Sequence, residues 1–483
     1  MKRCILAILA CFLASRASAQ STDVFYCLSG TWSNAECWAQ LGTNPPQHSL
    51  PQSGENVQVG PLDGYMDFDV SATVGTMSLA GTGSGLCTFS QSANDLAAVL
   101  EVIDGYCEYL QNGGTNTTST LLGKGEIGVW GIYELNDGSI TADIETVGVL
   151  PNLQGGNSPG SFAQNGGTNT PNYLQVGTTP ITTATGGTYT LSEGSLSAHH
   201  ELIGDNANSG TIDQTGGTNE ITSTAFGIFG GELVLGHGAN STGTYKLSDP
   251  GELSADTEVV GDSGTGNFEQ SGGQNTVSKL VLGQSGGGTS SGSYTLSQGS
   301  LNAKSLVIGD SGKGEFTQNS GTAFVNGDLL VGGSSGGQGG YSLNGGKLTV
   351  AGNETIGSVG TGEFIQEAGT DHIVTQTLTT GNERSKGTLG GYHLYGGRLV
   401  ANLVVNNGVF VFFGGQINAD VTNNGLFDLG PTSARFTSST LVVIGNLTNN
   451  GTIVCSDPVS FHTTKLHVTG IYINHGQDHD CVD

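Results

Sequence analysis

Gly160–Thr170 reads GSFAQNGGTNT. The phrase returns as YLQNGGTNT from Tyr109, TIDQTGGTNE from Thr211 and NFEQSGGQNT from Asn267. Between these copies stands a second phrase: GTYTLSEGSLSA from Gly187, GTYKLSDPGELSA from Gly243 and GSYTLSQGSLNA from Gly292. Each phrase leads into an apolar run closed by Gly, such as LVLG at Leu280, LVIG at Leu306 and LLVG at Leu329. The lead aromatic or apolar residue falls at Tyr109, Tyr133, Phe162, Tyr189, Ile212, Tyr245, Phe268, Tyr294, Phe316, Tyr341, Phe364 and Tyr392. The spacing averages about 26 residues, and a fixed period of 20–50 residues marks a repeat architecture.

Each unit holds three short alternating runs, for example GEFTQ, TAFVN and DLLVG from Gly314. Alternation with period two is the strand signal. The Gly, Asn and Ser between the runs suit tight corners. Three strands and three corners per unit predict one coil of a parallel β-helix, for which right-handed winding is the expectation. Twelve coils stacked at the ~4.8 Å strand spacing would make a rod of roughly 60 Å. A WD40 or kelch propeller is the alternative, since a paired unit is near 50 residues. The likeness of the half-units and the shortness of the strands weigh against it.

In F-x-Q the aromatic ring and the amide share one face of the strand. The ring must point inward, so Gln111, Gln164, Gln214, Gln270, Gln318 and Gln366 are expected to point inward too. Intervening units carry Leu at this place: Leu135, Leu191, Leu247, Leu296, Leu343 and Leu394. Glutamines two coils apart cannot form a continuous ladder. Each is expected to bond backbone at the adjacent Gly-Gly corner, because an unpartnered buried amide is costly. Asn116, Asn169, Asn219 and Asn275 are expected at the next corner, where Asn tolerates the left-handed conformation. The phrase reads as architecture.

The chain has 483 residues with 82 Gly, 11 % charged residues and a formal net charge of −27. Only 14 residues are Lys or Arg, so a nucleic-acid partner is not expected. The start, MKRCILAILACFLASRASAQ, has a basic n-region, an apolar Ile5–Leu13 and a small-residue Ala17-Ser18-Ala19 site. It predicts a secretory signal over 1–19, with lipidation at Cys11 as the lesser reading. No other run is apolar and long enough to span a membrane. Beyond the signal lie Cys27, Cys37, Cys87, Cys107, Cys455 and Cys481. An even count in an exported chain suggests disulfides, and sequence order suggests 27–37, 87–107 and 455–481, one of several connectivities.

The expected organisation is a cap with first coils over 20–108, regular repeats over 109–398, and C-terminal coils with a His/Asp-rich tail over 399–483. From Leu399 the period is expected to shorten around three Asn-Asn-Gly corners closed by Gly408, Gly425 and Gly451. In the cap segment, GTWSNAECWAQ from Gly30, PQSGENVQVG from Pro51 and VSATVGTMSLAG from Val70 form a pattern. It is a Trp pair, a Pro-x-x-Gly-(Asp/Glu) segment and a strand rich in Val, Thr and Leu. It resembles the opening of bacterial exported β-helix proteins of the autotransporter-passenger type, and the repeats resemble autotransporter-associated β-strand repeats. The resemblance implies a pectin-lyase-like β-helix displayed at or beyond the cell surface. The chain is expected to depart from that group in carrying no translocator barrel or sorting signal.

The chemistry-bearing candidates are few. The sequence has no G-x-S-x-G, H-E-x-x-H or P-loop motif. Glu315 and Glu363 share one outward position two coils apart, about 10 Å, which is long for a glycosidase pair. Asp205, Asp262 and Asp310 recur after a coil-closing Gly and read as turn residues rather than calcium ligands. Trp32 and Trp38 read as end packing rather than sugar platforms. The run His475-Gly-Gln-Asp478-His479-Asp480-Cys481 reads as a solvated end rather than a metal site. Asn240 and Asn353 stand in Asn-x-Thr sequons. The expectation is a secreted or surface structural or adhesive solenoid without catalysis or cofactor, touching glycans or cell-surface components. A polysaccharide lyase or glycoside hydrolase is the alternative.

Overall fold

The computed structural model describes residues 21–479 apart from 44–47, 61–63, 81–86, 105–106, 119–124, 149–159, 179–185, 224–229, 286–289, 382–389, 430–439 and 456–464. The signal segment, Asp480 and Cys481 therefore lie outside the described residues. The chain forms an all-β parallel solenoid, built of three strand ribbons that wrap one continuous hydrophobic core.

The first ribbon carries the aromatic column. All twelve lead residues, from Tyr109↔Tyr133 through Phe364↔Tyr392, are register partners of their neighbours. Phe89 extends the column below, and Phe410, Phe427 and Ile453 extend it above. The rings are buried and stack nearly parallel, with Phe268 and Tyr294 at 4.5 Å and 3°. Ile212 is the aliphatic interruption between Tyr189 and Tyr245.

The second ribbon runs through Ser195–Ala198, Thr218–Ile221 and Thr322–Val325. The third holds the apolar runs such as Glu232–Leu235 and Leu329–Val331. Glycines after the third ribbon take the left-handed backbone, for instance Gly261 (φ 76°) and Gly309 (φ 67°). A Cβ on Gly309 would sit 2.2 Å from the carbonyl oxygen of Gln338 in the next coil, so only glycine fits.

At the N-terminal end Thr22–Phe25 pairs antiparallel with Trp38–Gln40 and parallel with Asn56–Val59. Trp32 and Trp38 are buried there, packed edge to face at 4.9 Å, with the Trp38 Nε1–H donating to the Trp32 carbonyl at 2.8 Å. They cover the end of the core. Disulfides join Cys27 to Cys37 and Cys87 to Cys107. The second links register neighbours in adjacent coils. Cys455 is buried and disulfide-bonded.

Two expectations need correction. Asn116, Asn169, Asn219 and Asn275 do not sit at left-handed corners. They are buried strand residues facing the core. The positive φ belongs to the preceding Gly114, Gly167, Gly217 and Gly273, because glycine adopts it without a Cβ penalty. Nor does the period shorten throughout the C-terminal region. Asn406 and Asn423 are 17 residues apart, whereas Asn423 and Asn449 are 26 apart. Along the lead column the steps from Tyr392 to Phe410 and from Phe410 to Phe427 are short, and the step from Phe427 to Ile453 is long again.

Candidate functional site

The densest chemistry in the molecule is inside it. Each inward glutamine is fully or almost fully buried. Gln164 Nε2 donates to the carbonyls of Gly167 (3.4 Å) and, one coil on, Ser195 (3.0 Å). Gln214 and Gln270 do the same at Gly217 and Glu252, and at Gly273 and Ser300. With both amide hydrogens used, Oε1 must accept. Its donor is the hydroxyl of the tyrosine in the next coil: Tyr133 to Gln111 (2.7 Å), Tyr189 to Gln164 (2.6 Å), Tyr245 to Gln214 (2.6 Å) and Tyr294 to Gln270 (2.6 Å). This explains why Tyr follows a Gln coil, whereas the coil after a Leu carries Phe or Ile.

A tyrosine hydroxyl that donates to Gln can only accept from its remaining neighbour. That neighbour is the buried Asn of the Gln coil. Asn169 Nδ2 donates to Tyr189 Oη at 3.0 Å and to Glu145 Oε2 at 2.9 Å. Asn116 bridges Tyr133 and Glu101, Asn219 bridges Tyr245 and Glu201, and Asn275 bridges Tyr294 and Glu258. Each network therefore spans three coils. Glu comes from the coil below, Gln and Asn from the middle coil, and Tyr from the coil above. His372 replaces Asn in one further network, with Nε2 2.7 Å from Glu354 and Nδ1 2.8 Å from Tyr392 Oη.

All five glutamates are fully or almost fully buried. Burial, opposed by the Asn hydrogen bond, pushes Glu101 up to about 7 and Glu145, Glu201 and Glu258 up to about 8. Burial likewise pushes the network tyrosines well above their ordinary value. Sequence reading missed these glutamates. Their signal is the run that closes alternate coils: ETVG at Glu145, ELIG at Glu201, EVVG at Glu258 and ETIG at Glu354, against LVLG in the coils between.

The outward candidates are not brought together. Glu315, Gly340 and Glu363 are register partners in successive coils, so the two carboxylates stand two coils apart with nothing between them. Lys313 sits 2.7 Å from Glu315 and His393 sits 3.5 Å from Glu363; His393 is half-buried and the other three are exposed. Asp205, Asp262 and Asp310 act as turn acceptors. Asp205 takes the Asn206 N–H (2.7 Å), Asp262 the Ser285 hydroxyl (3.1 Å) and Asp310 the Ser334 hydroxyl (2.9 Å). His237 stands 2.8 Å from Asp262, a contact that raises the imidazole and lowers the carboxyl.

Asp478 accepts from Asn449 (3.1 Å), Asn474 (2.9 Å) and Tyr472, which ties the tail into the last coil. Among the described residues no group of three or more His, Cys, Asp or Glu side chains is placed to hold a metal. No helix there is long and apolar enough to cross a membrane. Asn240 and Asn353 are exposed.

Asn406, Asn423, Asn449 and Asn474 form a second polar feature. Each side-chain amide donates to the next, at 2.8, 2.8 and 3.0 Å, and the first three residues of this ladder are buried. A shallow groove on the outside, lined by Ser254, Asp256, Thr276, Ser278, Asn302 and Lys304, follows the corner between the second and third ribbons. No family model, curated protein or solved structure matches the chain.

Proposed function

We propose that the protein is a secreted or cell-surface β-solenoid with a structural or adhesive role, of the bacterial exported, autotransporter-passenger-like kind. One observation carries the reading. One outward column of the first ribbon presents Ser161, Thr188, Thr211, Thr244, Asn267 and Ser293 in unbroken register, a strip of small polar side chains bounded by Ile132 and Glu315. Such a strip offers repeated hydrogen-bonding positions at the strand spacing of ~4.8 Å, which favours multivalent contact with glycans or a neighbouring surface over one catalytic centre. The polar outside groove adds a second lengthwise surface of the same character.

The test is a glycan-binding array and a polysaccharide-degradation screen on the chain from Gln20, with calcium and with chelator. Binding without new reducing ends or unsaturated products is the expected result. Turnover would overturn the reading in favour of a polysaccharide lyase or hydrolase and direct attention to the Glu315/Glu363 face.

A further inference from the structure

The donor–acceptor chain inside the rod has one direction, and it ends on two oxygens that nothing serves. Gln Nε2 donates to two carbonyls, Tyr Oη donates to Gln Oε1, and Asn Nδ2 donates to Tyr Oη and to Glu Oε2. That leaves Glu Oε1 and Asn Oδ1. In all four Asn networks these two atoms are buried without a hydrogen-bond partner: Glu101 with Asn116, Glu145 with Asn169, Glu201 with Asn219, and Glu258 with Asn275. Flipping the amide does not help, because Oδ1 would then face the carboxylate and a hydroxyl already donating elsewhere. A single proton on Glu Oε1 supplies what Asn Oδ1 lacks. The N–H···O bond from Asn Nδ2 to Glu Oε2 is already in place, and an O–H···O bond from Glu Oε1 to Asn Oδ1 would complete the two-bond ring of a carboxylic acid and a primary amide.

We infer that Glu101, Glu145, Glu201 and Glu258 are proton-binding sites held as neutral carboxylic acids, each ring-paired with its Asn, so that the solenoid is locked by protons and loosens when they leave. Three further observations bear on this. The pair comes and goes together: where the Asn place holds Ala323, the Glu place below it holds Leu306. Where the Asn place holds His372, only Glu354 Oε1 is left over. Tyr392 donates to Gln366, so His372 Nδ1 must carry a hydrogen, and Nε2 shares one proton with Glu354.

Among the described residues the surroundings offer no compensating cation. Glu101 lies between Met77 and Ile127, Glu145 between Ile127 and Leu174, Glu201 between Leu174 and Leu233, and Glu258 between Leu233 and Leu280. The titratable groups that face them are Tyr109, Tyr133, Tyr189, Tyr245 and Tyr294, together with the next glutamate of the ladder. None is a Lys or Arg.

The direction of the pH effect follows by linkage. A carboxyl whose folded value lies above its unfolded value of 4.5 contributes its full stability below that pH, and loses it as pH rises toward 7–8. Between pH 5 and 7 each glutamate should raise the opening constant of its own coils about tenfold per pH unit.

The experiment uses the full chain. Infrared spectra at pH 7 should retain the C=O band of protonated carboxyls, and the band should disappear in a Glu101→Gln, Glu145→Gln, Glu201→Gln, Glu258→Gln variant. Native-state hydrogen exchange should show the tenfold dependence, lost locally in Glu201→Gln. Should a variant not fold, the wild-type band and exchange slope decide alone. Absence of the band at pH 7, or exchange slopes no steeper than in the coils around Leu306, would mean ionised, water-served carboxylates and would overturn the inference.

Discussion

Removing the Tyr245 hydroxyl tests the interior network at a single atom. In Tyr245→Phe, Gln214 Oε1 loses a donor at 2.6 Å and Asn219 Nδ2 loses an acceptor at 3.1 Å. A buried hydrogen bond contributes about 1 kcal/mol net, and an orphaned buried group costs about 1–3 kcal/mol. The expected destabilisation is about 3 kcal/mol. Tyr341→Phe is the control. Its hydroxyl donates to Gln318 at 2.7 Å, but Ala323 and Leu306 fill the Asn and Glu places, so one bond is lost rather than two. The expected cost there is about 1.5 kcal/mol. A solenoid opens coil by coil, so the assay is native-state hydrogen exchange of Ser209–Gln214 and Thr242–Leu247, compared with Lys313–Gln318 and Gln338–Leu343, at one mildly acidic pH. Equal losses in the two variants would refute the claim that the Asn–Glu arm is energetically joined to the tyrosine.

Gly299→Ala should destabilise its corner by about 2–4 kcal/mol, because φ is +86° and the new Cβ would meet the Gly273 carbonyl oxygen at 2.5 Å; thermal melting of the chain reads this. Asn423→Ala removes the middle of the amide ladder, which donates to Asn449 (2.8 Å) and Thr452 (3.1 Å), and should cost about 2–3 kcal/mol, seen as earlier proteolysis beyond residue 423. His372→Ala leaves Glu354 buried without its 2.7 Å partner and should cost about 3–5 kcal/mol, measured by exchange in Asp371–Thr380. Reducing the Cys87–Cys107 disulfide, which closes a 20-residue separation, should lower the stability of the first coils by about 3 kcal/mol while leaving exchange beyond Tyr245 unchanged.

The fold was legible because one face of each strand must bury its side chains. The lead-residue column from Tyr109 to Tyr392 follows from spacing alone, and the inward glutamines follow from sharing a face with it. The asparagines were misread because Asn after Gly-Gly fits a corner by local preference. The tertiary partner that overrides this, a glutamate 15 to 24 residues earlier, is not a neighbour in sequence. The glutamates were missed for a related reason. A charge at the head of an apolar run reads as a solvated strand end, and only its recurrence in ETVG, ELIG, EVVG and ETIG marks it as interior. The outward face held no such recurrent signal, and the structure leaves Glu315 and Glu363 apart.

The two-coil alternation also governs how the chain can go wrong. A strand that docks one coil out of place sets Gln where Leu belongs, and it leaves each Gln Oε1 without its tyrosine and each Asn Nδ2 without its glutamate, so that error carries a cost. Docking two coils out of place restores Gln under Tyr and Asn over Glu, and locally it looks right. What distinguishes the true partner is the set of blemishes: the aliphatic Ile212 in the aromatic column, the apolar Leu306 and Ala323, and the lone His372 over Glu354. These departures from the repeat act as its addresses. A version of this rod made perfectly regular would gain symmetry and lose the means of finding its own register.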